Sequence, residues 1–194
     1  DLTLENLTLV DGLGGPLGGA LLAEESELTL RAVTIAGSEA QNGGAVTFRT
    51  FTEHHLEIVD STFSANRATG DQANGGAVEV ELQGAGSARI VASRFLDNRI
   101  DSASGSFARR GGGLSVQSFD GGAIELRHLD FERNVIAAPS FAAGAGAKIG
   151  VTSTEPFVLE DARFVENEHE IEVGTNSAAG LDLSLNVPAA TVRR

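Results

Sequence analysis

The 194-residue chain has no cysteine, methionine, tryptophan or tyrosine, and only 4 prolines. Without cysteine there is no disulfide framework, no thiolate chemistry and no cysteine-ligated zinc. Without methionine, Asp1 is not a translation start, so the chain is expected to be a processed product or a segment of something longer. Basic residues are scarce, 14 against 27 acidic ones, for a net charge of −13. That balance excludes the clustered lysines and arginines that nucleic acid requires, and it opposes docking on anionic lipid. A solvated acidic surface is the plain reading, with a divalent-cation role as the other use of such charge. No signal-peptide pattern and no apolar run near the roughly 18 residues of a spanning helix is present, so no membrane insertion is expected of this segment.

Glycine, by contrast, is abundant at 24 residues, and much of it recurs in one pattern. Gly-Gly-Ala followed by an aliphatic residue runs from Gly18 to Leu21, Gly43 to Val46, Gly75 to Val78 and Gly121 to Ile124. Gly112-Gly113-Leu114 and Gly144-Ala145-Gly146-Ala147 are weaker copies. A second signature, Phe-x-x-Asn, starts at Phe63, Phe95, Phe131 and Phe164, in steps of 32, 36 and 33 residues. A fixed period of this size is one structural repeat.

Within each repeat, apolar and polar residues alternate: Val78, Val80 and Leu82 around Glu79 and Glu81, and likewise near Val46, Leu114 and Leu181. Period two means strands with one buried face. Second strands precede each Phe-x-x-Asn, at Leu56–Val59, Ala88–Val91, Ile124–Arg127 and Phe157–Glu160, and each repeat has room for a short third. No repeat holds a convincing helix. Several short strands per 32 to 36 residues fit one coil of a solenoid whose coils stack about 4.8 Å apart. Like residues then lie over like: Phe on Phe in the core, and Asn on Asn in a hydrogen-bonded ladder. The glycine pairs are expected to supply positive φ at a corner, and the asparagines to tolerate a left-handed turn.

The two signatures resemble the Gly-Gly-Ala-Ile and Phe-x-x-Asn of the polymorphic outer-membrane protein repeat, over roughly residues 1–185. The resemblance implies a right-handed single-stranded parallel β-helix, all-β, displayed on a bacterial surface or secreted. Five to six coils are expected in a single domain spanning residues 1–194, a segment or subunit of a longer assembly. Gly121-Gly-Ala-Ile124 departs from the pattern, because it falls where a second strand should begin.

Stacking the coils sets an outward column of Thr47, Glu79, Ser115, Lys148 and Asp182 beside a second of Arg49, Glu81, Gln117, Gly150 and Ser184. Glu79 and Glu81 share a face and could suit glycoside chemistry, but the neighbouring coils offer Ser and Gln, so two solvated glutamates are expected. His54 and His55 sit in a turn, and His128 and His169 stand singly, without metal-ligand spacing. Glu166–Glu170 is an acidic turn outside any calcium-loop pattern. Asn6-Leu7-Thr8 matches a glycosylation acceptor inside a strand, a chance occurrence. No catalytic, cofactor-binding or metal-ligating residue is therefore assigned.

The longest turns are Ala65–Asn74, Asn98–Gly111 (containing Asp101–Arg110) and Asn134–Gly146 (containing Ala137–Ala143). They should cluster on one side. Neither end shows a cap, so coil-end stacking with other copies is one expected partnership, and surface glycans or host proteins are the others. The function expected is a non-catalytic surface structural or adhesin-type module, a passenger or fibre former. The rival is a fragment of an enzyme that cleaves acidic polysaccharides.

Overall fold

The computed structural model describes residues 1–102, 109–139, 141–171 and 178–193. The centre of the long Asp101–Arg110 turn and Ser140 of the Ala137–Ala143 turn lie outside the described residues. Among the described residues there are strands and turns but no helix, and hence none long and apolar enough to cross a membrane.

Every strand pairing is parallel, and each joins one coil to the next. A front sheet stacks Leu21–Glu24, Val46–Thr50, Val78–Gln83, Leu114–Gly121, Ala147–Ser153 and Leu181–Asn186. A back sheet of 11 strands carries the second strands and the Phe-x-x-Asn strands. The short third strand is also present: Glu39–Ala40, Arg67–Ala68, Arg99–Asp101, Val135–Ala138 and Glu168–Ile171 form a short sheet. The fold is a parallel β-solenoid of about four turns rather than five to six coils. The higher expectation counted a first coil whose Gly-pair step is only 25 residues, together with part-coils at Leu2–Val10 and after Gly180.

Like does sit on like. Phe63, Phe95, Phe131 and Phe164 stack with ring centroids 5.2, 4.8 and 4.8 Å apart, and Ile35 continues the column below Phe63. Beside them the asparagines form a ladder. Asn98 Oδ1 accepts from both the backbone N–H and Nδ2 of Asn66, at 3.0 Å each, and Asn134 and Asn167 repeat the arrangement. Each Nδ2 also donates to a carbonyl of the coil before: Asn66 to Ile35, Asn98 to Phe63, Asn134 to Phe95 and Asn167 to Phe131. Polar groups inside the turn, which would otherwise be desolvated and unpaired, are satisfied by this one residue type.

The corners differ from expectation in an instructive way. The ladder asparagines are not left-handed; the residue before each is, at Ala65, Asp97, Arg133 and Glu166, with φ between 52 and 55°. Another corner repeats the conformation at Ala32, Asp60, Ala92, His128 and Asp161. Within the glycine pair only the first member has positive φ (Gly43 54°, Gly75 63°). The second is glycine because a Cβ on Gly44 or Gly76 would collide with the backbone oxygen of Gly76 or Gly112 in the next coil. Gly111-Gly112-Gly113, with φ of 68° at Gly111, is the true fourth copy, one residue ahead of the Gly112 start read from the sequence. Gly121-Gly-Ala-Ile124 is not a copy: Ile124 pairs with Ala88 in the back sheet, and a register shift falls between Phe119 and Gly121.

Candidate functional site

The outward columns read from the sequence exist in that register. Thr47, Glu79, Ser115, Lys148 and Asp182 pair in succession, and so do Arg49, Glu81, Gln117, Gly150 and Ser184. Exposure is where the expectation fails. Thr47 and Ser115 are fully buried and Glu79 is only 3% exposed. The chain that enters the front sheet from the glycine corner folds over this column. Asn74 Nδ2 donates to Glu79 Oε1 at 3.4 Å, Thr47 Oγ1 to Asn42 O at 3.3 Å, and the Asn74 backbone N–H to Asn42 Oδ1 at 3.1 Å.

Arg49 lies between the two glutamates, with Nη2 3.4 Å from Glu79 and Nε 3.3 Å from Glu81. Burial pushes the Glu79 carboxyl above its usual range, and the nearby charge of Arg49 opposes that shift without cancelling it. The folded state therefore holds the Glu79 proton more tightly than the unfolded chain does. Stability falls as pH rises from the ordinary glutamate range through the raised value. Glu79→Gln, which keeps the shape and removes the desolvated charge, is expected to be at least as stable as the parent at pH 7. That advantage should shrink toward pH 4. Urea midpoints at pH 4, 5.5 and 7 check both statements, and a variant destabilised most at pH 7 would contradict them.

Much of the surface charge is organised in runs of ion pairs that the sequence reading does not show. Glu5, Arg31, Glu57, Arg89, Glu125, Arg127, Glu160 and Arg193 form one continuous run of ion pairs along the back sheet. A second run joins Glu39, Arg67, Asp101, Arg99 and Glu170 along the short sheet. A third links Arg94, Asp130, Arg163, Glu132, Arg133 and Asp97. Hydrogen bonding from Arg31 holds the Glu57 carboxyl below its usual range. At Asp101, burial pushes the carboxyl up, but hydrogen bonds from Arg67 and Arg99 outweigh it and the net shift is downward. Comparing sign at the coil step, Glu57 against Arg89 against Glu125, or Arg94 against Asp130 against Arg163, is the signal that reveals the pattern.

The histidines do not converge. His54 lies 3.7 Å from Glu27, His55 Nδ1 2.6 Å from Ser87 Oγ, and His128 Nδ1 3.1 Å from Asp161. His169 takes the place of Ile136 and Ile100 one and two coils back. Burial lowers its pKa, opposed by Asp182. Among the described residues no group of three or more metal-ligating side chains occurs.

One concave feature lies on the front sheet. The Arg109–Arg110 and Ala142–Ala143 strands pair beside it as a two-stranded rim, the side of the solenoid where the long turns fall. Between that rim and the sheet runs a groove of about 440 Å³ that includes Arg110, Gln117, Phe119, Lys148, Gly150 and Ser184. Three of these, Gln117, Gly150 and Ser184, belong to the second outward column. Comparison with protein-family models, with curated proteins and with solved structures finds no match to this chain.

Proposed function

We propose that the chain is a non-catalytic extracellular β-solenoid module, a rigid structural or adhesin-type element displayed on a cell surface, in line with the outer-membrane repeat that its motifs resemble. The observation that carries this reading is the unbroken amide ladder from Asn66 to Asn167 running alongside the Phe63 to Phe164 stack. Such columns stiffen a rod along its length, and the ion-pair runs outside them do the same on the surface. The Glu79 carboxylate, the strongest acid–base candidate, is buried and bonded by Thr47 and Asn74.

The two terminal rungs add a second surface. Val10, Leu13 and Leu22 are exposed at one end and Val192 at the other, beside strand edges on which a further rung can pair. A rung from the same polypeptide or from another copy would fit there. The test is to incubate the purified chain with acidic and neutral polysaccharides, with and without calcium, while measuring its retention on immobilised glycans and surface proteins. Retention without scission is expected. Scission abolished by Glu79→Ala would replace this reading with a polysaccharide-cleaving one. Light scattering across a concentration series tests the end-to-end contact, which a monomer at every concentration would eliminate.

A further inference from the structure

Among the described residues, the groove on the front sheet holds a cation that no carboxylate pairs with. The arginines of the three ion-pair runs each have a carboxylate within pairing distance, and so does Arg49. Arg110 is different. Its side chain makes one hydrogen bond, from Nη1 to Gln117 Oε1 at 3.3 Å, and among the described residues no carboxylate pairs with it. In a chain of net charge −13 an arginine is more easily matched than left alone. Its position is also fixed: the backbone bridges Asn74 on one side and pairs with Ala143 on the other. A guanidinium has five N–H donors in a planar fork suited to a carboxylate, and only one is engaged here.

The surroundings narrow the ligand. Lys148 adds a second cation, shared between Asp182 and Ser184 Oγ. Gln117, Thr152 and Ser184 supply amide and hydroxyl groups along the floor and rim. Phe119 turns outward beside the register shift and is 52% exposed, so it offers an apolar face to the groove. At Gly150 the floor is open, because a Cβ there would meet nothing within 4 Å. A fork for a carboxylate, polar groups for hydroxyls, a flat apolar face and a cleared floor together describe one kind of molecule. We infer that this groove binds a carboxylated sugar unit, with the carboxylate on Arg110 and the apolar face of the ring against Phe119. The site goes beyond the structural role proposed above and stands on its own geometry.

The test is a chemical-shift titration of the intact chain with glucuronate, glucose and sulfate, carried to millimolar concentrations. Glucuronate is expected to shift the backbone amides of Gln117, Phe119 and Gly150 saturably. Glucose, lacking the charge, and sulfate, lacking the ring, should each bind at least about tenfold more weakly. Arg110→Ala should weaken glucuronate binding by about tenfold or more. Gly150→Leu, which fills the floor without touching Arg110 or the corner glycines, should abolish it, with circular dichroism confirming that both variants fold. Equal binding of glucose and glucuronate, equal binding of sulfate, no saturable shift, or undiminished binding by either folded variant would each overturn the assignment.

Discussion

Replacing Asn98 by alanine is expected to lower the unfolding free energy by about 3–5 kcal/mol, a large share of what holds a domain of this size together. The figure comes from counting the groups left behind. Asn98 Oδ1 is the acceptor for the Asn66 backbone N–H and one Nδ2 hydrogen, and Asn98 Nδ2 is the donor to Phe63 O. Asn66 and Asn98 are fully buried, so no water can take over these bonds. Three orphaned groups at about 1–3 kcal/mol each, with some relaxation, give that range. Asn98→Asp should be worse at neutral pH, because the second carboxylate oxygen would face the Phe63 carbonyl and Asn134 Oδ1 where an N–H now lies. Asn167→Ala makes the informative comparison: Asn167 is only partly buried, so water can replace some of its bonds and the loss should be clearly smaller. Urea unfolding of the three variants, with hydrogen exchange at the Asn66 amide, checks the ranking. A loss below about 1 kcal/mol for Asn98→Ala would mean that the ladder follows from the stacking and does not sustain it.

The ladder is legible in the sequence, and the reason is physical. In a solenoid the spatial neighbour of a residue is the residue one coil away, so a contact becomes a sequence period. Phe63, Phe95, Phe131 and Phe164 show that period because the same residue type fills one place in four successive coils. The charged runs were not seen because they obey a different rule. Glu57, Arg89 and Glu125 alternate in sign from coil to coil, and a search for identical residues passes over complementary ones. The left-handed corners escaped for another reason. Ala65, Asp97, Arg133 and Glu166 have nothing chemical in common, because the conformation there is imposed by the hydrogen-bonded coils on either side. Glu79 was placed on the correct face and misjudged in exposure. Alternation along a strand says which way a side chain points, and the covering by Asn42 and Asn74 comes from a turn that the alternation does not describe.

The Arg110 groove lies at the same limit of the sequence. The column Arg49, Glu81, Gln117, Gly150, Ser184 was correctly assembled, and the opening at Gly150 is implicit in it. The rim that makes the column concave is not, because Arg109–Arg110 pairs with Ala142–Ala143 without any shared motif. Period and alternation thus reveal the wall of a solenoid, and the turns that convert a wall into a cleft have to be seen.

Gly76→Ala is expected to be severely damaging for a single added methyl group, with a loss of about 4 kcal/mol or more and poor recovery of folded protein. The added Cβ would fall far inside contact distance of Gly112 O, with the Arg99 carbonyl carbon 3.0 Å away on another side. Both neighbours are backbone, so no rotamer change relieves the overlap. The coils themselves would have to part, against the bond from Gly76 N–H to Gly111 O at 2.9 Å. The chain carries its own control. Ala145 occupies the equivalent place in a later coil, where the following turn comes round one residue shorter: Gly144 N–H reaches Ala178 O and Gly146 N–H reaches Ala179 O. A Cβ is accepted there because the next rung draws back. Gly150→Ala is the matched experiment within a strand, since its Cβ enters open space, and its stability should lie within about 0.5 kcal/mol of the parent. If Gly76→Ala unfolded at the same urea concentration as Gly150→Ala, the tight apposition of backbones at this corner could not be what selects glycine. The second glycine of each pair would then need an explanation other than the distance between coils.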